Sequence, residues 1–378
     1  MPQLEPGLSF ASVVSRPSSL SSGVLHTEPN LGLITAAPAF SATPTLPCDP
    51  SPWISSGKAD LVLSFLEQKG LEKPQIKKLV SSLPRILTCR IEENLEAKMN
   101  YFLELGISVS DFADIISSQP ESLDRGLNST VRPAIEALRE VMGSNENVVR
   151  VIKKFRAKSW WAVSKRLAVN VSLLRAQGIP LESIQKRMIN NPGPFIWKHE
   201  VFKSIMARAE VKWGVSPRSK MFIYAVYLLC CLNSKTIESK CRVFQSFGWD
   251  RSHVVSLFKR NPCCFWLAGR NIKAKLRFYM NELGYDPDHI IAHHAVLCYS
   301  LEKRVMPRYL VFQLLEDKGL NRNNLAFFTV LAFPEGKFLR KCILPFLDVV
   351  PDLHDTYVNS IEAATKDQTT PEKHEIEA

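Results

Sequence analysis

The spacing of the glycines constrains the fold of this chain more than any other sequence feature. Half of its sixteen glycines follow one another at intervals of 34 to 37 residues: Gly70, Gly106, Gly143, Gly178, Gly214, Gly248, Gly284 and Gly319. An apolar stretch with helical spacing ends before each of them, and glycine is favoured after a last helical turn because positive φ costs it nothing. A period of this length indicates an array of repeated units.

Proline marks a second fixed position in many of the units. It lies 14 or 15 residues after the leading glycine at Pro84, Pro120, Pro192, Pro262 and Pro334. Because proline disfavours helix at the residue before it, each unit is predicted to hold a first helix of about ten residues, a break, and a second helix of about 12 to 15. Numbered by their glycines, units three, five and seven lack the proline.

A single helix pair of this length cannot bury both of its apolar faces, so neighbouring pairs must stack. The sequence therefore predicts an all-α solenoid of about eight helix-pair repeats of 34–37 residues that forms a curved superhelix. A globular helical bundle is the alternative, but it does not require such a period. The longest apolar run, residues 221–232, has 12 residues, where a membrane span needs about 20. We expect it to be a buried core helix.

The two ends of the chain differ from its centre. Residues 1–58 contain eleven Ser and nine Pro with only five ionised side chains, which predicts a disordered segment resembling a transit peptide. The scarcity of Arg favours a plastid address over a mitochondrial one, and a nonspecific disordered tail is the alternative. Residues 59–347 form the predicted repeat domain. Residues 348–378 hold eight acids and two bases, which predicts a disordered acidic tail.

The net charge of +11 is concentrated in one third of the chain. Residues 151–277 contain 25 Lys or Arg and five Asp or Glu. A field of this size is expected of a surface that neutralises phosphates, so the sequence favours nucleic-acid binding. An ordinary solvated surface is the alternative. An anionic membrane surface fits less well, because the bases are spread over several predicted helices.

The candidate contacts are 20 of the 25 cations of this segment. They are Lys153, Lys154, Arg156, Lys158, Lys165, Arg166, Lys186, Arg187, Lys198, Lys203, Arg218, Lys220, Lys240, Arg242, Lys259, Arg260, Arg270, Lys273, Lys275 and Arg277. Trp160 and Trp161 lie among the first of them and either stack on an unpaired base or pack between helices.

Some of these cations also have a structural explanation. Lys186–Arg187 and Lys259–Arg260 lie late in predicted first helices, where they would follow a phosphate strand along one edge or simply complement the helix dipole. Lys98, Lys240 and Lys275 share a position eight or nine residues before a glycine. Part of the lysine pattern is therefore expected to serve the fold.

Catalytic and metal chemistry find no support. The nine cysteines include two adjacent pairs and no CxxC, which argues against a disulfide framework or a zinc ribbon and favours reduced core thiols. His289 and His293 are four residues apart, but the stretch lacks the glutamate of HExxH. We expect no enzyme activity, no metal and no cofactor.

Two stretches resemble a known family: KLVSSLPRILTCRIEENLEAKMNYFLELG (78–106) and SLFKRNPCCFWLAGRNIKAKLRFYMNELG (256–284). Their proline and FLxxLG-like ends are similar to the repeats of the mitochondrial transcription termination factor (mTERF) family of plant organelles. The resemblance covers residues 59–347. Departures occur in the units without proline, and Trp160 and Trp161 replace the usual Pro-Leu region of unit three.

The resemblance implies a curved superhelix whose inner basic groove binds organellar nucleic acid, usually duplex DNA. We expect the protein to be a monomer. It implies a role in transcription, such as termination, or in RNA processing, in the chloroplast stroma or the mitochondrial matrix. Two alternatives remain. One is a single-strand RNA-binding splicing or processing factor, similar to pentatricopeptide repeat proteins, and the other is a scaffold that binds an acidic protein.

Overall fold

The computed structural model describes residues 56–119, 122–123, 125–155, 162–321 and 324–366. Most of the predicted disordered segment 1–58 and the last part of the acidic tail lie outside the described residues. The same holds for Pro120 and for the stretch 156–161, which contains Arg156, Lys158, Trp160 and Trp161.

The described residues form helices and contain no β-strand. In chain order the α-helices are α1 (Ser56–Gln68), α2 (Lys73–Ser82), α3 (Ala97–Glu104), α4 (Val109–Ser118), α5 (Arg132–Met142), α6 (Asn145–Ile152), α7 (Val163–Ala176), α8 (Leu181–Asn190), α9 (His199–Val211), α10 (Phe222–Cys231), α11 (Ser234–Gln245), α12 (Arg251–Arg260), α13 (Gly269–Leu276), α14 (Pro287–Ala292), α15 (Met306–Asp317), α16 (Phe327–Ala332), α17 (Glu335–Phe338) and α18 (Leu353–Lys366). The even-numbered helices α2 to α16 are the first helices of units one to eight, and α3 to α17 are the second helices. The predicted all-α repeat solenoid is confirmed.

The glycines end the second helices as their spacing predicts. All eight repeat glycines have positive φ, between 63° and 90°. At Gly106 the glycine N–H donates to Leu103 O over 2.9 Å, and the N–H of buried Ile107 donates to Phe102 O over 3.0 Å. A Cβ at Gly106 would meet nothing within 4 Å, so the backbone angle and not space requires glycine there.

The breaks between first and second helices contain 3₁₀ turns. Such turns span Pro84–Thr88, Gly193–Ile196, Pro262–Trp266 and His294–Cys298. The last of them lies in unit seven, which has no proline, so proline favours the break but is not required for it. In unit five, Asn233 follows α10 and its side chain accepts a 2.7 Å hydrogen bond from the N–H of Thr236 to begin α11.

Several second helices also include a π-helical turn. These turns span Ile91–Glu96 before α3, Leu127–Val131 before α5, Arg277–Glu282 after α13, Leu301–Val305 before α15 and Leu339–Ile343 after α17. Together with the adjoining α-helices they give second helices of 14 to 17 residues in units one, two, six and seven, and one of nine residues in unit eight.

One apolar core runs along most of the solenoid. A single cluster of buried side chains extends from Val62 to Leu331, and Val311, Leu315, Leu320 and Val330 belong instead to a second, C-terminal cluster. The apolar run 221–232 lies within it as α10, whose Phe222, Ala225 and Leu228 are at most 1% exposed, so the predicted core helix is confirmed. In the described part of the chain, no helix has the length and apolar character that a membrane span requires.

Polar side chains on the second helices of units one, three, five, six and seven join these units to the break of the next. Their donors reach backbone carbonyl oxygens across the unit boundary: Lys98 to Leu123, Asn170 to Phe195, Lys240 to Leu267, Lys275 to Leu297 and Arg308 to Phe333. Carbonyls that a 3₁₀ turn leaves without an intrahelical donor are satisfied in this way. In these five units the second helix is therefore fixed to the break of the following unit.

The acidic C-terminal segment differs from the expectation of disorder. Leu353–Lys366 form α18, which packs on α15. Leu353 and Tyr357 are at most 3% exposed and join a second apolar cluster, and Tyr357 Oη donates to a carboxylate oxygen of Glu335 over 2.8 Å. Charge alone suggested a tail, whereas apolar residues at helical spacing within it bury one face of a terminal helix.

Candidate nucleic-acid interface

Each unit places its two turns at opposite ends of its helices. The first helix runs from the glycine turn to the break and the second runs back, so successive breaks line one edge of the solenoid and glycine turns line the other. Across neighbouring breaks, Gln119 Nε2 donates to Phe155 O, and Asn261 Nδ2 lies 3.4 Å from Cys298 Sγ. We call these two sides, each with its adjoining helix turns, the break edge and the glycine edge.

The five acidic residues of the basic segment 151–277 are divided unevenly between the edges. Glu182, Glu210 and Asp250 flank glycine turns. Glu238 lies in the middle of α11, and Glu200 stands in the first turn of α9 at the break edge. Because most of the carboxylates lie away from the break edge, this edge has a larger excess of positive charge than the glycine edge.

The exposed cations predicted as contacts fall into three sets. At the break edge they are Lys153, Lys154, Lys165, Lys198, Lys259, Arg260 and Arg270. Along the helices they are Lys186, Lys203, Arg242, Lys273 and Arg277. At the glycine edge, before α10, they are Arg218 and Lys220. The structure thus brings only part of the predicted set together, and Arg156 and Lys158 lie outside the described residues.

Lys240 and Lys275 do not lie on the surface, and the expectation that they contact nucleic acid is corrected here. They are 8% and 5% exposed, and each donates to the carbonyl oxygen described above. Burial lowers the pKa of both ammonium groups. The position that they share with Lys98 relative to the glycines therefore serves the joints between units, as one of the two sequence interpretations predicted.

Two arginines of the predicted set are half-buried and engaged within the protein. Arg166 Nη1 donates to Ile196 O over 3.3 Å, which joins units three and four. The guanidinium of Arg187 lies 4.5 Å from the ring centroid of Tyr224, a cation–π distance. Both side chains are less available to a phosphate than the exposed cations of the break edge.

The two pairs of late first-helix cations are not equivalent in the structure. Lys259 and Arg260 are the last two residues of α12, whereas Lys186 and Arg187 precede the end of α8 by about one helical turn. Lys186 also pairs with Glu182 over 2.6 Å on its own helix. A phosphate strand that follows the break edge would meet the α12 pair and pass by the α8 pair.

At the N-terminal end of the basic segment, Lys153 is bound to an acid of the preceding unit. Its Nζ lies 2.6 Å from a carboxylate oxygen of Asp111, and both groups are partly exposed. Burial raises the pKa of Asp111, but hydrogen bonds from Lys153 and Ser108 outweigh it, and the pKa is lowered overall. A phosphate would have to displace this carboxylate from Lys153, whereas Lys154 is exposed beside it.

Three exposed break-edge residues were not among the predicted contacts. Lys235 is the second residue of α11, in the break of unit five. Trp197 and Trp266 are each 41% exposed beside 3₁₀ turns, Trp197 directly before Lys198. Position relative to the predicted breaks would have identified all three, since each lies within five residues of a first helix end or a proline.

The histidines of unit seven pack with aromatic rings. The ring of His289 is stacked on Tyr285 with centroids 4.7 Å apart, and Phe328 lies 5.2 Å from both His289 and His293. His293 Nδ1 lies 3.0 Å from His289 O on the same helix. Among the described residues, no three His, Cys, Asp or Glu side chains converge as metal ligands would.

Comparison with known proteins agrees with this architecture. The mTERF family model matches residues 55–339. An Arabidopsis thaliana protein called transcription termination factor MTEF18, mitochondrial, is 28% identical over 105 residues, which are 28% of this chain and 19% of that protein. Transcription termination factor MTERF8, chloroplastic, also from Arabidopsis thaliana, is 20% identical over 267 residues, 67% of this chain and 50% of that protein. The chain thus spans half or less of the length of these relatives. Since the family match covers most of its sequence and all eight repeat glycines, the chain belongs to the mTERF family.

Proposed function

We propose that this protein is a monomeric, non-enzymatic nucleic-acid-binding regulator of organellar transcription, at termination or a related step, or of RNA processing. The proposed ligand is double-stranded DNA, docked on the break edge of units three to six. Exposed cations there would neutralise successive phosphates, and a few side chains together with the curvature of the superhelix would provide specificity.

The observation that carries this proposal is the uneven distribution of carboxylates between the two edges. The break edge collects exposed Lys and Arg from four successive units and only one of the five acids of the segment, whereas three of those acids flank glycine turns. A surface made only for solubility has no need to keep its carboxylates away from one edge. A phosphate backbone does favour such an edge, because carboxylates beside it would repel the ligand.

Support for an organelle comes from the two relatives. One is named as a mitochondrial and the other as a chloroplastic transcription termination factor. We propose the chloroplast stroma for this chain because residues 1–58 are rich in Ser and poor in Arg, with the mitochondrial matrix as the alternative. Expression of the chain fused to a fluorescent protein in plant cells tests this.

Two variants with equal charge change test the docking edge. The break-edge variant combines Lys198→Gln, Lys259→Gln, Arg260→Gln and Arg270→Gln. The glycine-edge variant combines Arg175→Gln, Lys212→Gln, Arg218→Gln and Arg251→Gln. All eight side chains are exposed, so both variants should keep the fold, which circular dichroism verifies. Fluorescence anisotropy with a labelled 30-base-pair duplex of chloroplast DNA measures the affinity.

We expect the break-edge variant to lose about 100-fold or more in affinity, since each phosphate contact contributes to counterion release. The glycine-edge variant should lose only the few-fold expected from reduced net charge. Equal losses would mean that the charge acts without a defined surface. Absence of duplex binding by the wild type would reject double-stranded DNA as the ligand, and absence of RNA binding as well would favour a protein-binding scaffold.

Single-stranded RNA is the second candidate ligand, and the exposed tryptophans favour it. Trp197 and Trp266 stand at the break edge among the cations, where a ring can stack on an unpaired base. Competition between the duplex and a single-stranded RNA of the same sequence separates the two. Stronger competition by the RNA, lost in Trp197→Ala and Trp266→Ala, would assign the protein to RNA processing.

A further inference from the structure

Two cysteines meet across the boundary between units six and seven. Cys264 lies in the 3₁₀ turn Pro262–Trp266, and Cys298 is the last residue of the 3₁₀ turn His294–Cys298. Their Sγ atoms are 3.9 Å apart, although 34 residues separate them in the chain. Asn261 Nδ2 approaches Cys298 Sγ to 3.4 Å from the other side. Cys264 is fully buried, whereas Cys298 is partly exposed.

The boundary between units four and five lacks the pair of facing thiols found between units six and seven. Between units four and five, Asn191 Nδ2 lies 3.5 Å from Cys231 Sγ, just as Asn261 lies beside Cys298. The residue two positions after the proline, which is Cys264 in unit six, is Pro194 in unit four. Cys231 therefore has the amide neighbour of Cys298 without the facing thiol.

The thiols of Cys298, Cys231 and Cys264 differ in acidity. Hydrogen bonding by Cys264 lowers the pKa of the Cys298 thiol, with Asn261 and the nearby charge of Lys275 acting in the same direction against burial. Burial instead raises the pKa of Cys231 to about 12, and its Asn191 contact only partly offsets this. The hydrogen bond with Cys298 and burial raise the pKa of the Cys264 thiol. A thiolate is the reactive form of cysteine, so Cys298 is the nucleophile of the Cys264–Cys298 pair.

We propose that Cys264 and Cys298 are a modification site, at which a peroxide converts the thiol pair into a reversible disulfide that ties unit six to unit seven. The sulfur atoms need to approach by about 2 Å to reach the S–S bond length. This departs from the sequence expectation of reduced core thiols at one pair of positions, because adjacency across units is not visible in Cys spacing.

The chemistry balances with hydrogen peroxide as the oxidant. The Cys298 thiolate attacks one peroxide oxygen, the O–O bond breaks, and hydroxide leaves to give the sulfenic acid of Cys298. Cys264 then gives its proton to that hydroxide, and its sulfur attacks the Cys298 sulfur. The S–S bond forms, and the sulfenic hydroxyl leaves and takes a proton to become a second water. Two thiols are oxidised and one peroxide is reduced to two waters. An external dithiol reverses the step by thiol–disulfide exchange.

The test uses the full chain, reduced and then treated with stoichiometric hydrogen peroxide. Mass spectrometry of a non-reducing tryptic digest identifies linked peptides, and thiol titration counts the loss. We compare the wild type with Cys263→Ser, Cys264→Ser, Cys298→Ser and, as the matched control, Cys231→Ser. Cys263→Ser is required because trypsin leaves Cys263 and Cys264 in one peptide.

We expect loss of two thiols and a link to Cys298 in the wild type, in Cys263→Ser and in Cys231→Ser, all reversed by dithiothreitol. The melting temperature of the oxidised wild type should be roughly 5 °C above that of the reduced wild type, because the closed loop restricts the unfolded chain. Absence of the link in Cys263→Ser would overturn the proposal, as would Cys298 oxidised to sulfinic acid in place of the link. Identification of the disulfide-linked peptides in the wild type and in Cys263→Ser tests the proposal even if Cys264→Ser or Cys298→Ser fails to fold.

Discussion

The ammonium group of Lys275 donates a 2.7 Å hydrogen bond to the carbonyl oxygen of Leu297, in the break of the following unit. Lys275 is 5% exposed, whereas Lys273, two residues earlier on α13, is exposed. One helix thus carries a lysine that joins two units and a lysine that faces solvent. The same division runs through the basic segment, where buried Lys240 likewise binds the next break.

Replacement of Lys275 by Met is expected to lower the free energy of unfolding by about 1–3 kcal/mol, because the carbonyl of Leu297 loses its buried donor. Lys273→Met removes the same charge from the surface and should change stability by less than about 0.5 kcal/mol. Urea denaturation followed by circular dichroism measures both. Equal stability of the two variants would show that the joint contributes nothing.

Gly106→Ala should destabilise the protein by about 1–2 kcal/mol, because alanine resists the φ of +89° found there although no atom crowds its Cβ. Gly336 is the control, since it lies within α17 without positive φ and with nothing within 4 Å. Gly336→Ala should be neutral or stabilise by up to about 1 kcal/mol. Relative to the wild type, the melting temperature should therefore fall for Gly106→Ala and stay the same or rise for Gly336→Ala, as thermal denaturation measures.

The salt dependence of DNA binding should report the number of phosphate contacts at the break edge. For the double variant Lys259→Gln and Arg260→Gln, the slope of log K against log salt concentration should become shallower by about 1.8, or 0.9 per lost contact. Arg218→Gln with Lys220→Gln, at the glycine edge, should leave the slope unchanged. A slope change in the second pair alone would place the DNA on the opposite edge.

His294 should make stability depend on pH below neutrality. Burial lowers its pKa from 6.5, and the charges of Arg260 and His293 act in the same direction. Below pH 6.5 the unfolded chain binds a proton that the folded chain resists, so the free energy of unfolding falls as pH decreases through this window. Above it, the contribution is constant.

The measurement compares urea unfolding at pH 7.5 and pH 5.5. His294→Asn should lose less stability between the two pH values than the wild type does. His354→Asn, at an exposed position on α18, should behave as the wild type. If all three proteins lose the same stability, His294 is not the group responsible.

The sequence alone determined the repeat and its turns, because both depend on local backbone properties. Positive φ after a last helical turn selects glycine at positions such as Gly106 and Gly284. Pro192 and Pro262 end the first helices because each disfavours helix at the residue before it. The charge of segment 151–277 follows from composition in the same way. Even the structural role of Lys98, Lys240 and Lys275 was indicated by their shared position before the glycines.

Only the tertiary structure decided which side chains meet. The 3₁₀ turn at His294–Cys298 forms without proline, α18 packs where charge suggested a disordered tail, and Cys264 faces Cys298 across a unit boundary. Lys273 and Lys275 are the same residue type on one helix, and nothing in their own chemistry distinguishes them. Only Lys275 is buried, because the carbonyl oxygen to which it donates belongs to the next unit. The stacking of the solenoid brings that oxygen within reach.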